Sequence, residues 1–217
     1  MKAKSKLPRV TIVDSGRANI ASVSAALRRA GAEVAIAGAA GDLSDAEFLV
    51  LPGVGSFGAA MQFWDDHDLV IPIREAILSG LPTLAICLGM QLLCRSSEES
   101  VGIEGLHIFD CAVRSFGHDL PIPHLGWNKV EVSDAEGSQV EVAANQIVKS
   151  GFAYFAHSFR LVDAPSAAKV SIANYDGPFI ASIEVGNILG CQFHPELSGR
   201  WGSELIQTWL DQEKQVC

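Results

Sequence analysis

Short apolar runs alternate with amphipathic stretches along the first half of the chain. Val10 to Val13, Glu33 to Ala37, Phe48 to Leu51 and Thr83 to Cys87 are apolar segments of strand length. Between them the apolar positions fall at helical spacing. Asn19 to Arg29 puts Ile20, Val23 and Leu27 on one face and stops at Gly31. Ala59 to Trp64, Ile73 to Ser79 (ended by Gly80) and Gly89 to Arg95 read as further helices. Strand–helix alternation predicts a parallel sheet with helices on both faces.

The pattern changes near Cys111. Strand-like runs then follow one another: Cys111 to Phe116, Lys129 to Val132, Tyr154 to Phe159, Lys169 to Ala173, Phe179 to Glu184 and Ile188 to Phe193. Turns such as Asp176-Gly177-Pro178 and Gly186-Asn187 join them. An amphipathic helix over about Trp201 to Gln212 closes the pattern. No linker or repeat interrupts it. The expectation is an α/β fold in one domain over residues 9–215, with a mostly parallel central sheet, helices on both faces and an antiparallel strand extension. Residues 1–8 are expected to be a flexible tail.

Composition works mainly by exclusion. Against 16 basic side chains stand 25 acidic ones, a net charge of −9, which argues against a nucleic-acid surface. Lys2, Lys4, Lys6 and Arg9 cluster, and read as a solvated tail. No apolar run approaches the ~20 residues of a membrane-spanning helix, and the first residues lack the apolar core of a signal peptide. Cys87, Cys94, Cys111, Cys191 and Cys217 are an odd number without Cys-x-x-Cys spacing. That excludes a disulfide framework, gives no metal motif, and fits a reducing cytoplasm. Neither a metal nor a cofactor is expected.

The candidate chemistry lies at three motifs. In Ala85-Ile86-Cys87-Leu88-Gly89-Met90-Gln91 a strand ends, a cysteine sits at the turn and a helix begins. This is a nucleophile elbow with sulfur in place of a hydroxyl. A helix N-terminus favours the thiolate, and the Leu88 amide is placed to donate to an oxyanion. Ala85 stands where such elbows often carry glycine. A cysteine nucleophile needs a base held by a third group. Gln192-Phe193-His194-Pro195-Glu196 offers both, because an apolar strand ends at His194 and Glu196 follows two residues on. Strands of a parallel sheet share one carboxyl edge, where His194 and Cys87 can meet. His67, His107 and His118 fall in polar contexts and read as surface residues. Cys94, Cys111, Cys191 and Cys217 read as structural thiols.

The third motif, Pro52-Gly53-Val54-Gly55-Ser56-Phe57-Gly58, contains a literal G-x-G-x-x-G. A dinucleotide site is a formal alternative. It follows the third strand, opens with proline and lacks the expected downstream acidic residue. A run of adaptable amides beside Cys87, able to turn an N–H toward an oxyanion, fits it better.

Taken together, CLGMQ, PGVGSFG and QFHPE resemble the class I, triad-type glutamine amidotransferases. Within that class Val13 to Asn19, Arg95 to Glu99, Pro123-His124-Leu125-Gly126-Trp127-Asn128 and Tyr154 to Phe159 resemble the glutaminase subunits of imidazole glycerol phosphate synthase. The resemblance runs from about Val10 to Leu210. It implies a flavodoxin-like amidotransferase fold, with Cys87, His194 and Glu196 as the triad. It places Gly53, Val54 and Gly55, with Leu88, in the oxyanion site, and Gln91, His157 and Ser158 against bound L-glutamine. Asn19, His124 and Trp127 fall in segments that face the partner, a (β/α)8-barrel cyclase (HisF-like) in a heterodimer. Many relatives carry Lys or Arg where this chain has Leu197, and a tyrosine where it has Phe159. Two other readings share these motifs: a paralogue supplying ammonia to a surface-sugar pathway, and a degenerate structural subunit. The His-Leu-Gly-Trp-Asn segment speaks against an anthranilate or aminobenzoate subunit.

Overall fold

The computed structural model describes residues 7–17, 19–117, 119–133, 146–165 and 167–212. Expectations about residues 1–6, His118 and Cys217 lie outside them. From the amino end the elements are β1 (Arg9–Val13), α1 (Ile20–Arg29), β2 (Glu33–Ala37), β3 (Phe48–Leu51), α2 (Phe57–Asp66), α3 (Val70–Leu78), β4 (Thr83–Ile86) and α4 (Leu88–Leu92). There follow β5 (Cys94–Ser97), β6 (Phe109–Ser115), β7 (His124–Ser133), β8 (Gly151–His157) and β9 (Phe159–Arg160). The last are β10 (Lys169–Asn174), β11 (Pro178–Val185), β12 (Ile188–Cys191) and α5 (Gly199–Leu210).

One sheet runs β2-β1-β3-β4-β12-β11-β10-β7-β8, and β5-β6-β9 form a smaller one. From β2 to β12 all neighbours are parallel. From β12 to β8 they are antiparallel. The chain therefore carries the α/β fold expected of it, with the antiparallel extension attached through β12.

The central strands are apolar throughout because both faces of the sheet are covered. Leu49, Leu51 and Ala85 turn to one core, with Trp64, Leu69 and Ile73 of the α2–α3 side. Phe48, Val50, Leu84 and Ile86 turn to the other, with Leu27 of α1 and Trp209 of α5. The two-residue period of a strand thus sorts one run into two cores.

Two expectations are corrected. Gly89 to Arg95 is not one helix: α4 ends at Leu92 and Cys94–Ser97 is a strand. Leu106 and Gly105 amides take the Leu92 and Arg95 carbonyls, and β6 pairs with β5, so tertiary pairing overrides local helical preference. The run Lys129 to Val132 is the end of a longer strand that begins at His124.

Among the described residues no helix is long and apolar enough to cross a membrane.

Candidate active site

Cys87 stands between β4 and α4 with φ 53° and ψ −109°, a backbone state costly for a residue with a side chain. Its amide donates to the Cys191 carbonyl of β12 at 2.6 Å. Two glycines make the turn possible. A Cβ on Gly89 would lie 1.8 Å from the Leu51 carbonyl oxygen, and one on Gly53 would lie 2.7 Å from Leu88 Cβ. Ala85 is accommodated, fully buried within β4. Leu88 N–H is the first amide of α4, a position with no acceptor inside the helix.

His194 leaves β12 at the same carboxyl edge. Its backbone amide donates to the Tyr154 carbonyl of β8, so the antiparallel half fixes where it sits. Its Nδ1–H donates to Glu196 Oε1 at 2.9 Å, and both side chains are buried. Burial opposes charge on the ring. Hydrogen bonding to Cys87 and Glu196, and their negative charge, outweigh it and push the His194 pKa up to about 10. The three residues come from chain segments 87 and 194–196, brought together by the parallel pairing of β4 with β12.

In front of Cys87 lies a cavity of ≈ 170 Å³. Val54, Gly55, Leu88 and Gln91 line one side, and Ala156, His157, Ser158 and Phe159 the other. Gly55 has φ +103°, where glycine is at ease. Gln91 is held at the cavity by its Nε2, which donates to Phe159 O at 2.9 Å and to Gln192 Oε1 at 3.0 Å.

His157 and His124 form a buried pair. His157 Nδ1–H donates to the Phe159 carbonyl at 2.8 Å. His157 Nε2 then accepts from His124 Nδ1 at 3.0 Å, and His124 Nε2 from Asn128 Nδ2 at 3.3 Å. Burial lowers His157 to a pKa of about 3 and His124 to about 4, so both are neutral near pH 7.

The residues expected at a partner surface divide. Trp127 is 58% exposed, beside exposed Leu125. Asn19 is exposed and its side chain caps α1 by accepting from Ser22 N. His124 is corrected: at 3% exposure it lies inside, stacked on Phe155 and Tyr175. His67 and His107 are exposed, as expected.

Two groups near Cys87, one lining the cavity and one buried behind it, were not anticipated as site residues. Glu99 brings a carboxylate, anchored by Phe57 N at 2.6 Å. Gln192 is fully buried and its Nε2 lies 3.7 Å from Cys87 Sγ. The signal available for Gln192 was a polar side chain at the end of an otherwise apolar strand. Among the described residues no group of three His, Cys, Asp or Glu side chains is placed to hold a metal ion.

Comparison with known proteins adds four findings. The family described as Glutamine amidotransferase class-I matches residues 11–212. Imidazole glycerol phosphate synthase subunit HisH of Symbiobacterium thermophilum is 36% identical over 97% of this chain and 96% of its own length. The same-named subunit of Rhodopirellula baltica is 39% identical over 96% of this chain and 100% of its own. A crystal structure of a glutamine amidotransferase shares the fold with TM-score 0.72 at 17% identity, covering 93% of this chain and 97% of that one.

Proposed function

The chain belongs to the class I glutamine amidotransferases, and on that premise we propose that it is the glutaminase subunit of an imidazole glycerol phosphate synthase. The observation that carries the reading is a cysteine on a positive-φ turn at the sheet edge where the paired strand β12 also delivers His194, whose Nδ1–H donates to the buried side chain of Glu196.

Glutamine enters the cavity with its side-chain amide toward Cys87. Gln91, His157 and Ser158 bound it, and Glu99 provides a counter-charge for its ammonium group. The Cys87 thiolate attacks the amide carbon, and the carbonyl electron pair moves to oxygen. Leu88 N–H and an amide of the Gly53-Val54-Gly55 segment receive that oxyanion. As the C–N bond breaks, the His194 imidazolium gives its Nε2 proton to the leaving nitrogen. Ammonia departs and a glutamyl thioester remains. His194, now neutral, takes a proton from water, whose hydroxide adds to the thioester. The C–S bond breaks, its electron pair returns to sulfur, and glutamate leaves. Glu196 keeps the imidazole in the needed tautomer throughout.

Ammonia released into water would be protonated and lost. The reading therefore includes a cytoplasmic (β/α)8-barrel cyclase that receives it through an enclosed path. That partner converts phosphoribulosyl-formimino-AICAR-phosphate to imidazole glycerol phosphate and AICAR, a step of histidine biosynthesis. Exposed Leu125, Trp127 and Leu197 support an apolar contact surface. Leu197 follows Glu196 directly, so that surface reaches the triad.

The test is made on the complex with the cyclase. Cys87→Ala is expected to abolish glutamine-dependent synthesis and leave ammonia-dependent synthesis intact. Near-normal glutamine turnover by Cys87→Ala overturns the mechanism.

A further inference from the structure

We infer that Gln192 is a further catalytic residue of this site: its side-chain amide donates to the Cys87 sulfur, and Gln91 holds it in that orientation. The inference rests on the glutaminase reading given above.

Ile86 and Cys191 are the last paired residues of β4 and β12, so Gln192 leaves the sheet beside Cys87. Its backbone amide is held by the Ala181 carbonyl of β11 at 2.8 Å, and its side chain has no exposure to solvent. An amide can be turned end for end, and its neighbours decide which end faces sulfur. Gln91 decides it here. Its Nε2 meets two acceptors, Phe159 O and Gln192 Oε1. Turning Gln91 over would set its oxygen against the Phe159 oxygen. Gln192 must therefore offer Oε1 to Gln91, which leaves Nε2 for Cys87 Sγ at 3.7 Å. The Phe159 carbonyl is itself fixed by His157, and His157 by His124. A line of oriented donors thus ends on the reacting atom.

The thiol can donate to the Ala156 carbonyl at 3.7 Å, whereas the thiolate is faced by Gln192 Nε2 at the same distance and by the His194 of the proposed mechanism, two groups with different duties. His194 must give up its proton in the first half of the reaction and regain one in the second. Gln192 has no proton to lose, so it stabilises negative charge on sulfur before attack. It does so again when the thioester intermediate collapses, the C–S bond breaks and the electron pair returns to Cys87. A hydrogen bond to the charged form favours that form, and a thiolate is the nucleophile.

Iodoacetamide alkylation of Cys87 in the intact chain, followed against pH with Cys87→Ala as the blank, tests this. Gln192→Met keeps the length of the side chain and removes the donor. The pH of half-maximal alkylation is expected to rise by about one unit, so that below it the reaction is about tenfold slower, with the same plateau in alkali. Gln192→Glu keeps the shape and sets an acceptor against sulfur; a larger rise is expected. His194, Glu196, His157 and Glu99 are the other ionisable side chains around Cys87; neither variant replaces them, and Gln192→Met adds no charge among them. A wild-type profile for Gln192→Met overturns the inference. Should Gln192→Met fail to fold, Gln192→Glu decides by the same criterion. Iodoacetamide needs no glutamine site. A chain that alkylates as expected but never hydrolyses glutamine with the cyclase overturns the glutaminase reading and leaves this inference standing.

Discussion

His194 and His157 come from the two halves of one sheet, and their surroundings push them in opposite directions. His194 follows the parallel strand β12 and meets a thiol and a buried carboxylate, which raise it to about 10. His157 ends the antiparallel strand β8 and meets a carbonyl and a second imidazole, with burial lowering it to about 3. Two equally buried rings are thus held in opposite states, which suits one to the proposed role of proton carrier and the other to that of a fixed neutral donor. The partner decides the role, and the partner follows from which half supplies the residue. On the proposed assignment the parallel half carries the groups that change charge. The antiparallel half carries groups that hold still.

The largest effect is expected where charge changes. His194→Ala should lower glutamine turnover in the complex by about 10⁴-fold or more, because triad members act as a unit. Glu196→Gln should cost fewer powers of ten, since it orients the ring and moves no proton. Steady-state turnover of both variants checks this, and a Glu196→Gln defect deeper than that of His194→Ala breaks the assignment.

A middle effect is expected at the Pro52 to Gly58 loop. Its far end is anchored by Glu99 on Phe57 N and Ser100 on Gly58 N, while Gly55 holds φ +103° against Arg17. The isolated chain should turn over slowly, and the cyclase with its nucleotide ligand should speed it. Gly55→Val should remove about a hundred- to a thousandfold of that gain, the worth of one oxyanion donor. Equal turnover for chain, complex and liganded complex would leave the loop as a plain turn.

The smallest effect concerns stability. An unfolded histidine takes a proton near pH 6.5, whereas His157 resists until about 3. Its contribution is therefore intact above the unfolded value and is lost as the pH falls toward 3, at up to about 1.4 kcal/mol per pH unit. His194 acts oppositely, stabilising below its unfolded value and losing that contribution as the pH rises through about 10. Urea unfolding against pH should show a flatter acid limb for His157→Phe. An unchanged limb would mean that His157 is not the buried neutral ring.

The same contrast explains what could be read from the residues alone. The parallel half announces itself: Phe48 to Leu51 and Thr83 to Cys87 are apolar because both faces are buried, and glycines mark the turns. Cys87, His194 and Glu196 stand out at its carboxyl edge. The antiparallel half is harder. His124 and Trp127 belong to one short motif, but in a strand they are three residues apart and so face opposite sides. One is buried and the other exposed. Gln192 was hidden for another reason. Its partners Gln91 and Cys87 are about a hundred residues away, and no local spacing reports them.

The position of β12 also bears on when the protein becomes active. This strand lies between β4 and β11 and bridges the halves, yet among the described residues it is the last strand in chain order. Until it inserts, β4 and β11 expose unpaired edges, and Cys87 has neither the Cys191 carbonyl under its amide nor His194 beside it. A ribosome-bound or truncated chain that has not yet placed Ile188–Cys191 would hold Cys87 without the base proposed for it. On the proposed assignment, a chain in which Ile188–Cys191 has not yet paired with β4 cannot release ammonia, whatever else of it has folded.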